Sequence, residues 1–355
     1  MNLRDTLRML GSADRRDGRN LSNAEARDIF GQILDRRSGD IQVAGFLMAL
    51  RWKGVTVEEL IGFVQAARER AELPCEGLSG MVTLCTPHDG YDQTPPLEVA
   101  AALVAAAAGA RVMLVSEMGV PPRRGVTAAL TLESLGVSLA TSKAEAEDRI
   151  ERQRFVAIAV TTMLPGLGRL HHVRGELGVR TALSTIEKLI APGSSAIVTS
   201  AQSGPVLGTA VETMAGLGHP SGIVIQGLEG GLIPTLKRRT RGVELAGSHQ
   251  VPLTVEPNDF GLLCRNNPEL PMFGPPEEGL GTGDNPLLMR AALDSIRGVL
   301  AGETGPARSA TLLCAAVVLK AVGRAMTLAE GVDAAVEALD SGAARKVLQD
   351  SGGTA

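Results

Sequence analysis

At 355 residues, 44% hydrophobic and 21% charged, the chain has ordinary globular composition and is long enough for two domains or one large domain with an appendage. A formal net charge of −4 gives no global attraction to nucleic acid. No apolar run reaches membrane-spanning length, and Met1-Asn2-Leu3-Arg4-Asp5 has no signal-peptide core, so no membrane partner is expected.

The first 73 residues read as helices alone. Ser22-Asn23-Ala24-Glu25 is a capping box, followed at helical spacing by Ile29, Phe30, Ile33 and Leu34. Asp40 is expected to cap a second helix with Val43, Phe46, Leu47 and Leu50 on one face. Thr56-Val57-Glu58-Glu59 is another box, ahead of Leu60, Ile61 and Val64. Such short amphipathic helices cannot bury every apolar side chain among themselves. They must pack on the rest of the chain or on a second subunit. Cys75, Cys85, Cys264 and Cys314 are dispersed without metal-type or redox-type spacing, which points to reduced thiols in a cytoplasmic protein.

Residues 81–136 organise the middle of the chain. Residues 81–85 read as a buried strand, Thr86 to Thr94 as a polar loop, and Pro95-Pro96-Leu97-Glu98 as the start of a helix running to Gly109. Thr94 is its expected N-cap and Pro95 its first residue. Residues 112–115 form the next strand. Such a βαβ unit places the loop at the carboxyl edge of a parallel sheet, where ligands bind. The helix start counts against a phosphate there, because Pro95 and Pro96 have no N–H and Glu98 adds negative charge. His88 and Asp89 beside Tyr91 and Asp92 read either as an acid–base or one-metal cluster or as an ordinary polar loop.

Further on, residues 119–125 form a loop carrying Arg123 and Arg124, and residues 126–135 a helix. Residues 155–160, 196–200, 222–226 and 251–255 read as strands, with helices over 170–190 (interrupted near Gly178) and 206–217. Lys237-Arg238-Arg239-Thr240-Arg241 is the densest basic run, suited to phosphates or to a solvated loop. His171, His172, Arg174 and Lys188 could extend a basic rim. Gly281-Thr282-Gly283-Asp284-Asn285 echoes a phosphate loop without a preceding strand. From Asn285 the chain is helical, with Thr327-Leu328-Ala329-Glu330 a third capping box and 351–355 a frayed tail. Strands alternating with helices predict an α/β fold with a mostly parallel central sheet flanked by helices, beside a smaller all-helical domain.

Several runs together resemble anthranilate phosphoribosyltransferase and its relatives in glycosyltransferase family 3, the nucleoside-phosphorylase-like transferases. They are Phe46-Leu47-Met48-Ala49-Leu50-Arg51-Trp52-Lys53-Gly54, Val173-Arg174-Gly175-Glu176-Leu177-Gly178-Val179-Arg180-Thr181, Glu256-Pro257-Asn258-Asp259-Phe260-Gly261 and Gly305-Pro306-Ala307-Arg308. The resemblance implies a helical domain of residues 1–73 plus about 166–192, an α/β domain of 74–165 plus 193–355, and a homodimer through the helical domain. It also gives Arg180 the role of holding an acceptor's carboxylate, a task that suits the guanidinium fork. A structural pairing within the helical domain is the other reading.

The donor motifs depart from the family pattern. Its Gly-Thr-Gly-Gly-Asp loop stands here as Cys85-Thr86-Pro87-His88-Asp89, and its Asn-x-Ser-Thr falls on Pro96, Glu98 and Val99. Its Lys-His-Gly-Asn falls on Leu114-Val115-Ser116-Glu117. Its magnesium pair falls on Leu232-Ile233, with only Glu229 as a nearby carboxylate. This is similar to a second subgroup that keeps the fold, loses the donor motifs and includes a nucleic-acid-binding protein.

The resemblance therefore implies a polyanion such as nucleic acid in the interdomain cleft. Arg180, Lys188, Arg123, Arg124, Lys237, Arg238, Arg239 and Arg241 would be the contacts, and no cofactor is expected. With one Trp, one Tyr and six Phe, such binding would be directed mainly at the backbone. The alternatives are a transferase with an altered donor held by Thr86, His88, Asp89 and Glu229, with magnesium, or a regulatory partner whose ancestral site is empty.

Overall fold

The computed structural model describes residues 2–11, 19–202, 204–273 and 280–354. The N-terminal module is built from helices Leu3–Leu10, Asn23–Leu34, Asp40–Lys53 and Val57–Arg68. Later helices Leu167–Leu177 and Leu183–Glu187 pack against it. Both N-terminal capping boxes form: the Ser22 and Thr56 hydroxyls accept from Glu25 and Glu59, whose carboxylates return to the cap N–H groups. Gly39, not Asp40, takes the cap position of its helix, and Asp40 instead bonds Arg169 Nε at 2.5 Å. The module's core centres on Phe63, whose ring lies 5.5 Å from Phe30 and 5.9 Å from Phe46.

Seven strands follow: β1 Met81–Cys85, β2 Arg111–Val115, β3 Phe155–Ile158, β4 Ala196–Ser200, β5 Ser221–Ile225, β6 Thr240–Ala246 and β7 His249–Val255. Their order is β3-β2-β1-β4-β5-β6-β7, the first five parallel and the last three joined by antiparallel pairings. The apolar runs are buried because both faces of the sheet are covered. Val82, Leu84, Val112 and Leu114 pack with helices Glu98–Ala107 and Pro306–Ala321. Met81, Cys85, Met113 and Val115 share a cluster with the helical module. Among the described residues no helix is long and apolar enough to cross a membrane.

Three local expectations are corrected. The helix after the first loop begins at Glu98 rather than Pro95, because Leu97 N–H turns back to the Pro95 carbonyl at 2.7 Å and Thr94 caps nothing. Strand β6 occupies the end of the stretch read as a basic loop. Gly242 weakens its strand pattern, yet a Cβ there would meet the Val224 carbonyl at 2.8 Å, so close pairing to β5 requires glycine. The tail is held through Thr354, whose N–H donates to the Leu135 carbonyl at 2.8 Å, with Gly353 buried on Leu348; Ala355 lies outside the described residues.

From β1 the chain crosses to β2 on one side, and from β4 to β5 on the other. The carboxyl ends of β1 and β4 therefore flank a topological switch point, the position where open α/β sheets bind ligands.

Candidate functional site

A cavity of about 510 Å³ lies at that switch point. The loop after β1 contributes Pro87, His88 and Asp89, the end of β4 contributes Thr199 to Gln202, and the helical module contributes Arg174, Arg180, Ser184 and Lys188. Its mouth is formed by exposed Arg51, Gly54, Gln202 and Val206, and its floor by buried His88, Asp89, Arg174 and Ser200.

The floor is an ionic chain between the two modules. Asp89 accepts a bidentate pair from Arg180, at 2.5 Å to Nε and 2.8 Å to Nη2, and lies 3.6 Å from Arg174. Arg174, 1% exposed, donates to Glu187 at 3.0 Å, and Glu187 meets His171 at 2.7 Å. Burial alone would raise the Glu187 carboxyl, but His171 and Arg174 together hold it below the ordinary value. The same Glu187 holds the His171 imidazole above its ordinary value against burial. Lys188 is part-buried and donates to the Ser200 carbonyl at 2.6 Å, and burial brings its ammonium down to about 8. Arg174 and His171 are thus not part of a surface rim: one is engaged by Asp89 and Glu187, the other by Glu187.

His88 is 3% exposed, and among the described residues neither ring nitrogen has a hydrogen-bond partner. Burial lowers it from 6.5 to about 4. His219 is also lowered to about 4, by burial first and then by Arg68. Both folded values lie below the unfolded one, so the unfolded chain takes up these protons first. Stability from these groups is intact above about 6.5 and is expected to fall as the pH drops toward 4. His171 has the opposite sign, adding stability at low pH that is lost as the pH rises through its raised value. Urea midpoints followed into acid should fall less steeply for His88→Gln than for the parent chain; equal slopes would remove His88 from the account.

Beside the cavity a second anion is caged. The Glu229 carboxylate accepts three successive N–H groups, from Asp92 at 3.1 Å, Gln93 at 3.1 Å and Thr94 at 2.7 Å. Arg123 closes the cage, 3.3 Å from Asp92 and 3.6 Å from Glu229, and donates to the Gly90 carbonyl at 2.8 Å. The backbone of Arg124 packs under Gly281 and Gly283, whose N–H donates to its carbonyl at 2.9 Å. A Cβ on Gly281 would meet that carbonyl at 2.2 Å, so the glycines of 281–285 serve close packing. Thr86 is fully buried and its hydroxyl donates to the Val115 carbonyl at 3.1 Å, away from the cavity. Thr86, Arg123 and Glu229, read from the sequence as ligand contacts, are committed to the chain itself.

The basic run is placed differently. Lys237, Arg238, Arg239 and Arg241 are exposed, line an open cavity of about 950 Å³ with Gln226, Thr235 and Asn267, and make no ion pair among the described residues. The two cavities adjoin. Gln226 of the second donates to the carbonyl of Gln202 in the first at 2.8 Å, and Glu229 and Gly230 line one each. The single basic rim expected from sequence is therefore two sites, a part-buried one around Arg180 and Lys188 and an exposed one at 237–241. Sequence reasoning missed Ser184, Ser200 and Glu187, whose meeting with His88 depends on chain segments about a hundred residues apart.

Residues 13–71 match the helical bundle domain of a glycosyl transferase family and residues 90–345 match that family's α/β domain. An anthranilate phosphoribosyltransferase from Methanothermobacter marburgensis is 29% identical over 349 residues, covering 94% of this chain and 95% of that protein. Another, from Anaeromyxobacter sp. strain K, is 32% identical over 337 residues, covering 94% of each. The crystal structure of anthranilate phosphoribosyltransferase from Thermus thermophilus is similar with a TM-score of 0.80 at 28% identity, covering 99% of this chain and 98% of that one. The Saccharomyces cerevisiae enzyme in complex with PRPP and Mg has a TM-score of 0.74 at 16% identity, covers 98% and 97%, and shares the fold.

Proposed function

The chain belongs to the glycosyl transferase family, carrying both its helical bundle and its α/β domain, and on that premise we propose that it binds a polyanion, single-stranded nucleic acid in particular, rather than transferring phosphoribose. It is anthranilate phosphoribosyltransferase-like in sequence and fold. The observation that carries the proposal is the Glu229 cage. Three consecutive N–H groups of the first loop are filled by the chain's own carboxylate, while Lys237, Arg238, Arg239 and Arg241 close by are exposed and make no ion pair among the described residues. That combination disfavours a sugar pyrophosphate and suits a string of phosphates.

Magnesium fits poorly. The positions that the resemblance pairs with its carboxylates, Leu232 and Ile233, are fully buried in the apolar core. Glu229 is occupied by N–H donors, and no group of three His, Cys, Asp or Glu able to hold a metal ion occurs among the described residues.

If about four phosphates meet Lys237, Arg238, Arg239 and Arg241, raising salt from about 50 to about 200 mM should weaken single-stranded DNA binding roughly 50-fold. Fluorescence titration of a labelled oligomer measures this, with PRPP plus magnesium run by calorimetry alongside. Salt-insensitive binding would sink the polyanion reading. Heat from PRPP would instead favour the second reading, a transferase with an altered donor and a carboxylate-bearing acceptor in the 510 Å³ cavity around His88, Asp89 and Arg180.

The same proposal includes a homodimer through the helical module. Ile41, Met48 and Trp52 are 90%, 37% and 93% exposed on helix Asp40–Lys53. At their spacing they fall within about 40° of one another around the helix, an apolar stripe that water does not favour. Light scattering is expected to give twice the chain mass for the parent protein and the single mass for Ile41→Ser/Trp52→Ser. A monomeric parent at tens of micromolar would end this part of the proposal.

A further inference from the structure

We infer that the cavity between the modules receives one unstacked base of a single-stranded nucleic acid whose phosphates follow Lys237, Arg238, Arg239 and Arg241; this rests on the polyanion reading above. The floor of the cavity is lined with buried polar groups that the fold leaves unused. Among the described residues, both ring nitrogens of His88, the hydroxyls of Ser184 and Ser200 and Nε of Arg174 are buried without partners. Native interiors leave few such atoms unsatisfied, and five around one cavity mark a place where a ligand supplies the missing donors and acceptors.

The chemistry of the walls narrows the ligand. Leu50, Val55, Leu60 and Val206 give apolar surface, while the orphaned groups lie at the floor. A nucleobase has that same division, with apolar faces and a hydrogen-bonding edge. The volume of about 510 Å³ lies within the range of small-molecule sites. Burial keeps His88 neutral, so one ring nitrogen donates and the other accepts, as do both serine hydroxyls. Groups that both donate and accept satisfy any base edge, which predicts weak sequence preference. The charged side chains lining the cavity are Arg51, Arg174, Arg180 and Lys188 against Asp89 and Glu187, an excess of two positive charges that favours an attached phosphate.

Continuity of the two cavities makes a single strand the natural occupant. Gln202 and Gly230 at one cavity meet Gln226 and Glu229 at the other, so a base at the first leaves its backbone heading toward 237–241. Unstacking costs least in a single strand, and a polar pocket replaces the aromatic platform that this aromatic-poor chain lacks.

The experiment compares a short thymidine oligomer with an abasic oligomer of equal length and phosphate number, on the full chain at one salt concentration. The thymidine oligomer is expected to bind roughly tenfold tighter or more, the gain from one or two hydrogen bonds to buried groups. Ser200→Ala should erase most of that advantage without lowering the melting temperature, because the hydroxyl has no partner to lose. His88→Ala should do the same to the base-dependent part and leave the salt slope unchanged. Equal binding of both oligomers, with the salt slope intact, would overturn base insertion and leave the polyanion reading standing. No binding of either oligomer would overturn both.

Discussion

Replacing Glu229 by alanine is expected to lower the folding free energy by about 3 kcal/mol, a large effect for one side chain that is not in the apolar core. The removed carboxylate accepts the N–H groups of Asp92, Gln93 and Thr94, and its side chain is 16% exposed. Water can reach some of those donors in the variant, which is why the expected cost is well below three full desolvation penalties. Arg123 also loses one of its two carboxylates. Because the vacated nest is an anion site by geometry, phosphate or sulfate should raise the variant's melting temperature more than the parent's. Urea unfolding with and without millimolar phosphate decides the matter. A loss below about 1 kcal/mol with no anion response would mean that the cage is incidental.

Asp89→Ala should cost a similar amount, about 3 kcal/mol, by a different route. Removing one member of a buried ion pair strands the other, and here two arginines face the same carboxylate. Arg180 has side-chain exposure of 25% and can turn toward solvent. Arg174, at 1%, cannot, although it keeps Glu187 at 3.0 Å. The chain of charges also joins the loop after β1 to the helical module, so the variant should be cut faster by protease near the module boundary. Acetate or benzoate should restore part of the lost stability by taking the place of the missing carboxylate. Wild-type stability in Asp89→Ala would show that Arg180 gains nothing from the pairing.

The expectations that held were those resting on local chemistry. The capping boxes at Ser22 and Thr56 formed because a hydroxyl and a carboxylate three residues apart satisfy each other's backbone whatever surrounds them. The β1 and β2 strands were legible as short apolar runs bounded by turn residues, and their parallel pairing follows from the helix between them. The α/β class and the family followed from these patterns and from runs quoted directly from the chain.

What the sequence could not convey was which polar residues already had partners within the chain. Thr86, Arg123 and Glu229 have the composition of a ligand site, but their partners are the Val115 carbonyl, the Gly90 carbonyl and the N–H groups of 92–94. Those partners are identified by the direction of each backbone in space, and no residue spacing encodes that direction. The same holds for β6, where Gly242 reads as a break until β5 lies against it.

The sequence by itself determined most of the helices and strands (though not the helix Lys143–Gln153), the parallel class and the position of the polar loop, because each depends on contacts within a few residues or on apolar periodicity. Only the tertiary structure separated a buried cation from an exposed one. Arg174 and Arg180 stand among carboxylates from both modules, while Lys237, Arg238, Arg239 and Arg241 are exposed and make no ion pair among the described residues. Burial and pairing are properties of segments brought together from distant parts of the chain, and they decide whether a charge holds the fold or awaits a partner.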